Sequence, residues 1–109
     1  MNKHEFLNLK TRKVVSVQTE MGEVFITSIT PKDWVFLMEA AEKKPPTYNP
    51  TALAVVMSVC DENGKLLCSV ADCEEVANTF SFTYLNKLVE EINILNGFRK
   101  KDIDEKKSE

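Results

Sequence analysis

Residues 50–60, Pro-Thr-Ala-Leu-Ala-Val-Val-Met-Ser-Val-Cys, most limit what this chain can fold into, because only Thr51 and Ser58 among them are polar. Read as a helix at about 100° per residue, Thr51, Ser58 and Val55 fall on one side, while Ala52, Leu53, Ala54, Val56, Met57, Val59 and Cys60 occupy nearly all the rest. A helix that is apolar almost all round has to be covered almost all round. It is far shorter than the roughly 20 residues that cross a bilayer, so the expected cover is protein, with no membrane involved. The flanking sequence is expected to supply that cover or to offer surface to other chains.

The flanks punctuate clearly. Val14–Thr19 and residues 24–29 are β-branched runs separated by Glu20-Met21-Gly22-Glu23, the pattern of a hairpin. Thr30-Pro31-Lys32-Asp33 then starts a helix, with Thr30 as N-cap, Pro31 in the first helical position and Asp33 at capping-box spacing. Trp34, Leu37, Met38 and Ala41 make its expected core stripe, leaving Phe36 opposite, and Pro45-Pro46 stops it. Asn49-Pro50 repeats the cap-then-proline signal at the head of the central helix, and Asp61-Glu62-Asn63-Gly64 closes that helix as a turn.

Ser69-Val70-Ala71-Asp72 is a second capping-box pattern, opening a short helix through about Ala77. The last helix, capped by Thr79 or Ser81, has the most regular amphipathic pattern. Phe82, Leu85, Leu88, Val89, Ile92 and Leu95 line one face, Ile94 strays to the polar side, and Gly97 ends the helix. Ahead of the hairpin, Phe6, Leu7 and Leu9 are placed for an amphipathic turn or two docked weakly on the body. Residues 99–109 are almost wholly charged and read as a flexible tail behind a single domain at 1–98. The expected class is α+β, mostly helical: an N-terminal hairpin followed by three to four packed helices.

Chemistry is sparse. The three glycines stand apart, so no phosphate-cradling loop exists. Cys60, Cys68 and Cys73 fit no common zinc or redox spacing, and the single His4 is distant in sequence. They read as small buried residues of a reducing compartment. Asp61-Glu62-Asn63-Gly64-Lys65 resembles the start of a calcium loop but lacks the closing acid. Glu74-Glu75 and Glu90-Glu91 are adjacent pairs, which a helix splays apart. A net charge of -3 offers no basic field for nucleic acid. Residues 1–10 carry charges where a secretion signal would be apolar, so a cytosolic site is expected.

No catalytic, metal or cofactor site is therefore expected, and contact becomes the expected function. The candidates for contact are the apolar residues that the helical stripes leave outside: Phe36, Tyr48 in the crossover, Ile94 and part of the central helix. Self-association is one expectation from this pattern. A small adaptor or toxin-neutralising domain and a thiol-based enzyme remain open as alternatives.

The order of these segments resembles a known family. A Val-rich hairpin precedes Ile-Thr-Pro-Lys-Asp-Trp at 29–34 and Ala-Leu-Ala-Val-Val-Met-Ser-Val-Cys-Asp-Glu-Asn-Gly-Lys-Leu-Leu at 52–67. A short acidic helix and Leu-Val-Glu-Glu-Ile-Asn-Ile-Leu-Asn-Gly-Phe at 88–98 follow. This is similar to the tail assembly chaperones of long, non-contractile-tailed bacteriophages and prophages, over about residues 5–98. Family chains often carry Phe where Cys68 stands. The resemblance implies a non-enzymatic morphogenesis factor in the cytoplasm of the bacterial host. Such a factor binds the tape measure protein, helps the tail tube protein polymerise, self-associates into a ring or spiral, and is absent from the finished virion. It also implies that a longer, frameshifted product can accompany the short one.

Overall fold

The structure, a computed structural model, describes residues 1–98. The charged segment expected to form a tail, 99–109, lies outside the described residues. A short helix α1 (Lys3–Leu7) precedes the hairpin β1 (Val14–Thr19) and β2 (Gly22–Thr27). Next come α2 (Pro31–Glu42), α3 (Pro50–Val56), a two-residue strand β3 (Val59–Cys60), α4 (Cys73–Thr79) and α5 (Phe82–Leu95), with a 3₁₀ turn at Val70–Asp72 leading into α4. The α+β class and the hairpin-then-helices order are as the sequence implies.

The hairpin is tighter than expected. Thr19 pairs with Gly22 across a two-residue turn, Glu20-Met21, and the register runs to Val14 opposite Thr27. Gly22 takes a φ of 117°, and the Thr19 hydroxyl donates to its carbonyl at 2.6 Å. Two-residue turns match the strand twist, so β2 begins two residues earlier than the apolar pattern suggests and ends at Thr27. Ser28 and Ile29 then lead across to the N-cap of α2.

α3 is shorter than the apolar run. Asn49 caps it, its side-chain oxygen accepting the Ala52 N–H at 3.0 Å, and Pro50 holds the first turn. Helical geometry stops at Val56, and Val59-Cys60 extend alongside β2, with Ile26 opposite Val59 and Phe25 opposite Cys60. The Thr27 N–H donates to the Ser58 carbonyl at 2.9 Å. An unbroken apolar run has no period to separate a buried helix from a buried strand, and the open edge of β2 supplied hydrogen bonds that further helix would not.

From Ala52 onward α3 is covered within one chain. α2, α4 and α5 all touch it, and α5 also lies against β1 and β2. Val55 and Ser58, on the side expected to be least covered, are 5% and 0% exposed. Apart from exposed Pro50 and half-buried Thr51 in its first turn, the central helix is buried, so most of it is withdrawn from the outer contact surface expected of it.

Two helical stripes are rotated or trimmed. α2 buries Leu37 and Ala40, keeps Trp34 half-buried, and leaves Met38 and Ala41 outside. It packs on α3 along a narrow three-residue spacing rather than a broad face. α5 buries Leu85, Leu88 and Ile92, but Phe82 is 71% exposed. Phe82 occupies the first helical position, where side chains lean back beyond the helix end and past the packed region. The other end of α5 closes with a Schellman motif: Phe98 N–H to the Asn93 carbonyl at 2.9 Å and Gly97 N–H to Ile94 at 3.1 Å.

Candidate functional site

The second half of α2 and the crossover after it make an open cleft of about 570 Å³. Along α2, positions three and four apart share a flank, which places Phe36, Glu39, Ala40 and Lys43 together. Pro45-Pro46 cannot continue the helix, and the chain returns with Thr47 and Tyr48 forming the facing wall. The Phe36 and Tyr48 rings lie 5.9 Å apart, tilted by 46°, within the range of favourable aromatic contact. Tyr48 packs inward on the core, whereas Phe36 remains 38% exposed. Glu39, Glu42 and Lys43 rim the opening and are exposed.

Of the three expected contact residues, Phe36 and Tyr48 are thus brought together. Ile94 sits half-buried in the last turn of α5 and does not line the cleft. Other apolar side chains are more open than either. On α1, Phe6 and Leu7 are more than half exposed, as is Leu9 just beyond it, and none of the α1 residues is buried. The weak docking expected for this segment buries none of its residues. Leu67 and Phe80, 62% and 44% exposed, border a second notch of about 350 Å³ together with Cys68 and Val76. The Phe80 ring stacks on Tyr84 at 5.5 Å. The sequence carried a signal for Leu67, an apolar pair in a segment too short to classify. For Phe80, beside the Ser81 cap, it carried none.

The cysteines are free thiols, Cys60 and Cys73 buried and Cys68 partly so. Burial pushes the Cys60 thiol above its ordinary pKa, the Asp61 carboxylate adds to the rise, and the Arg12 guanidinium opposes it. Burial followed by the Asp72 and Glu75 carboxylates raises Cys68, and burial raises Cys73. Each thiol is therefore held protonated at neutral pH, the reverse of what a thiolate nucleophile requires. The Asp61 carboxylate accepts the backbone N–H groups of Asn63 and Lys65 at 2.8 and 3.0 Å, which makes it a turn-former. Among the described residues no cluster of three or more His, Cys, Asp or Glu could hold a metal ion, and no helix is long and apolar enough to cross a membrane.

No known family model matches the sequence, and no curated protein matches it. Among solved structures, the fold is similar to that of the bacteriophage HK97 tail assembly chaperone. The match has a TM-score of 0.60 and 18% sequence identity, and covers 84% of this chain and 90% of that one. At that identity the likeness establishes the fold: this chain has the architecture of a phage tail assembly chaperone.

Proposed function

We propose that the protein is a non-enzymatic tail assembly chaperone of a long-tailed bacteriophage or prophage. It binds the tape measure protein, keeps that protein's apolar helical surface soluble, promotes polymerisation of the tail tube protein, and self-associates while doing so. It acts in the cytoplasm of the bacterial host and is not part of the mature virion. The shared fold across 84% of the chain carries this reading. The open aromatic cleft at Phe36 and Tyr48 supports it, because an amphipathic partner helix is held by anchors placed in such a groove. Partner contact is assigned to Phe36, Tyr48 and Ile94.

Co-expression with the tape measure protein encoded downstream tests the reading. The expected outcome is that the tape measure protein becomes soluble and co-purifies with this chain. An insoluble tape measure protein, with this chain alone in the soluble fraction, would count against it.

A further inference from the structure

α1 is a helix that its own molecule does not use. Its two ends are tied locally: the Asn2 N–H donates to the Glu5 carboxylate at 2.9 Å, and the Glu5 N–H donates to the Asn2 side chain at 2.8 Å. This capping box holds five residues helical with no residue buried. Phe6 and Leu7 end the helix, and Leu9 follows in the turn beyond it, where its N–H donates to the Phe6 carbonyl at 3.2 Å. Residues 10–13, outside regular structure, join this segment to β1, and Arg12 anchors them by donating to the Ser28 carbonyl at 3.0 and 2.9 Å, so that the arm projects from a fixed point. Three apolar side chains, each more than half exposed within four residues of sequence, make a patch that a partner can cover.

The matching half is on the same chain. The cleft between α2 and the crossover has an apolar interior of Phe36, Ala40 and Tyr48, and its rim carries two acids, Glu39 and Glu42, against one base, Lys43. The α1 segment has the opposite charge balance: Lys3 and Lys10 flank its apolar residues, against one acid, Glu5. Polarity and the sign of the charge balance therefore correspond.

We propose that residues 3–9 of one copy dock in the Phe36–Tyr48 cleft of the next, Phe6, Leu7 and Leu9 entering the cleft and Lys3 or Lys10 meeting Glu39 and Glu42. The proposal rests on the self-association reading above and names its surfaces. Arm and cleft are different patches, so the contact is head-to-tail. Each added copy presents a fresh arm and a fresh cleft, and growth ends only when the rotation closes.

Sedimentation velocity on the full chain, a variant lacking residues 2–9, and Phe36→Glu tests it. The arm deletion removes no buried residue. Each variant alone is expected to be monomeric, self-association being weakened at least about tenfold, with the far-UV spectrum unchanged for Phe36→Glu and reduced only by the five helical residues of α1 for the deletion. Mixed one to one, the two are expected to form a heterodimer that grows no further, because one chain supplies the intact cleft and the other the intact arm. Should Phe36→Glu fail to fold, Glu39→Lys combined with Glu42→Lys blocks the rim instead. A mixture that stays monomeric overturns the proposal, as does an arm-deleted chain that assembles like the full one. That second result leaves self-association standing on another surface, whereas a full chain monomeric at high micromolar concentration ends both readings.

Discussion

Ser58 is fully buried, and its hydroxyl has no hydrogen-bond partner among the described residues. Its backbone is well used, since the Ser58 carbonyl accepts the Thr27 N–H where α3 gives way to β3. A buried polar group without a partner costs about 1–3 kcal/mol. Ser58→Ala removes that group while keeping the backbone bond, so it should leave stability unchanged or raise it by about 1 kcal/mol. A urea melt checks this, and a clear loss of stability would mean that the hydroxyl has a partner in solution. From sequence, Ser58 belonged to the least covered side of a continuous helix. That reading failed because a residue's face depends on the element it occupies, and here the element changes at the preceding residue.

Elements begin and end where local chemistry says they should, and meet where it cannot say. Thr30, Asn49 and Ser81 each accept the N–H three residues on, and Ser69 donates its own N–H to the Asp72 carboxylate. Each of these contacts is written within four residues of sequence, which is why helix starts were legible. Asn96 is the opposite case. Its side-chain oxygen accepts the Ile29 N–H at 2.7 Å, and its amide donates to the Ile92 carbonyl at 2.7 Å. That residue pins the end of α5 to the chain between β2 and α2, across 67 positions. The nearby Trp34 and Phe98 rings, 4.3 Å apart, close the same junction. Asn96→Ala leaves the partly buried Ile29 N–H unpaired and should cost about 1–3 kcal/mol, read as a lower denaturation midpoint. A midpoint within error of the parent would show that water replaces the amide. The strand at Val59-Cys60 was illegible for the same reason as this contact, since its partner β2 is more than thirty residues away in the chain.

For the whole molecule, cover of α3 by its own chain from Ala52 onward shifts the ground for partner contact from the centre to the rim. The apolar segment does need neighbours, and α2, α4, α5 and the sheet are those neighbours. What remains outside is a set of separate apolar features, of which sequence periodicity found Phe36 and Ile94 as strays from a stripe, and the crossover's composition found Tyr48. It could not find that Phe36 and Tyr48 share a cleft, which depends on how the chain returns after Pro46. These placements make Phe36→Glu and Ile94→Glu different probes. Both side chains are at least partly exposed, so each variant should stay folded, with a stability loss of about 1 kcal/mol or less for Phe36→Glu and somewhat more for the half-buried Ile94→Glu. Phe36→Glu puts a carboxylate inside the cleft and beside Glu39, so it should weaken both self-association and tape measure capture. Ile94→Glu lies outside that cleft and should weaken tape measure capture while changing assembly less. Sedimentation and co-purification on the same two variants measure this. If Ile94→Glu unfolds the chain, Ile94 is a core residue. If Phe36→Glu folds and leaves both readouts intact, the cleft is not the contact surface and the exposed Leu67–Phe80 notch becomes the next to block.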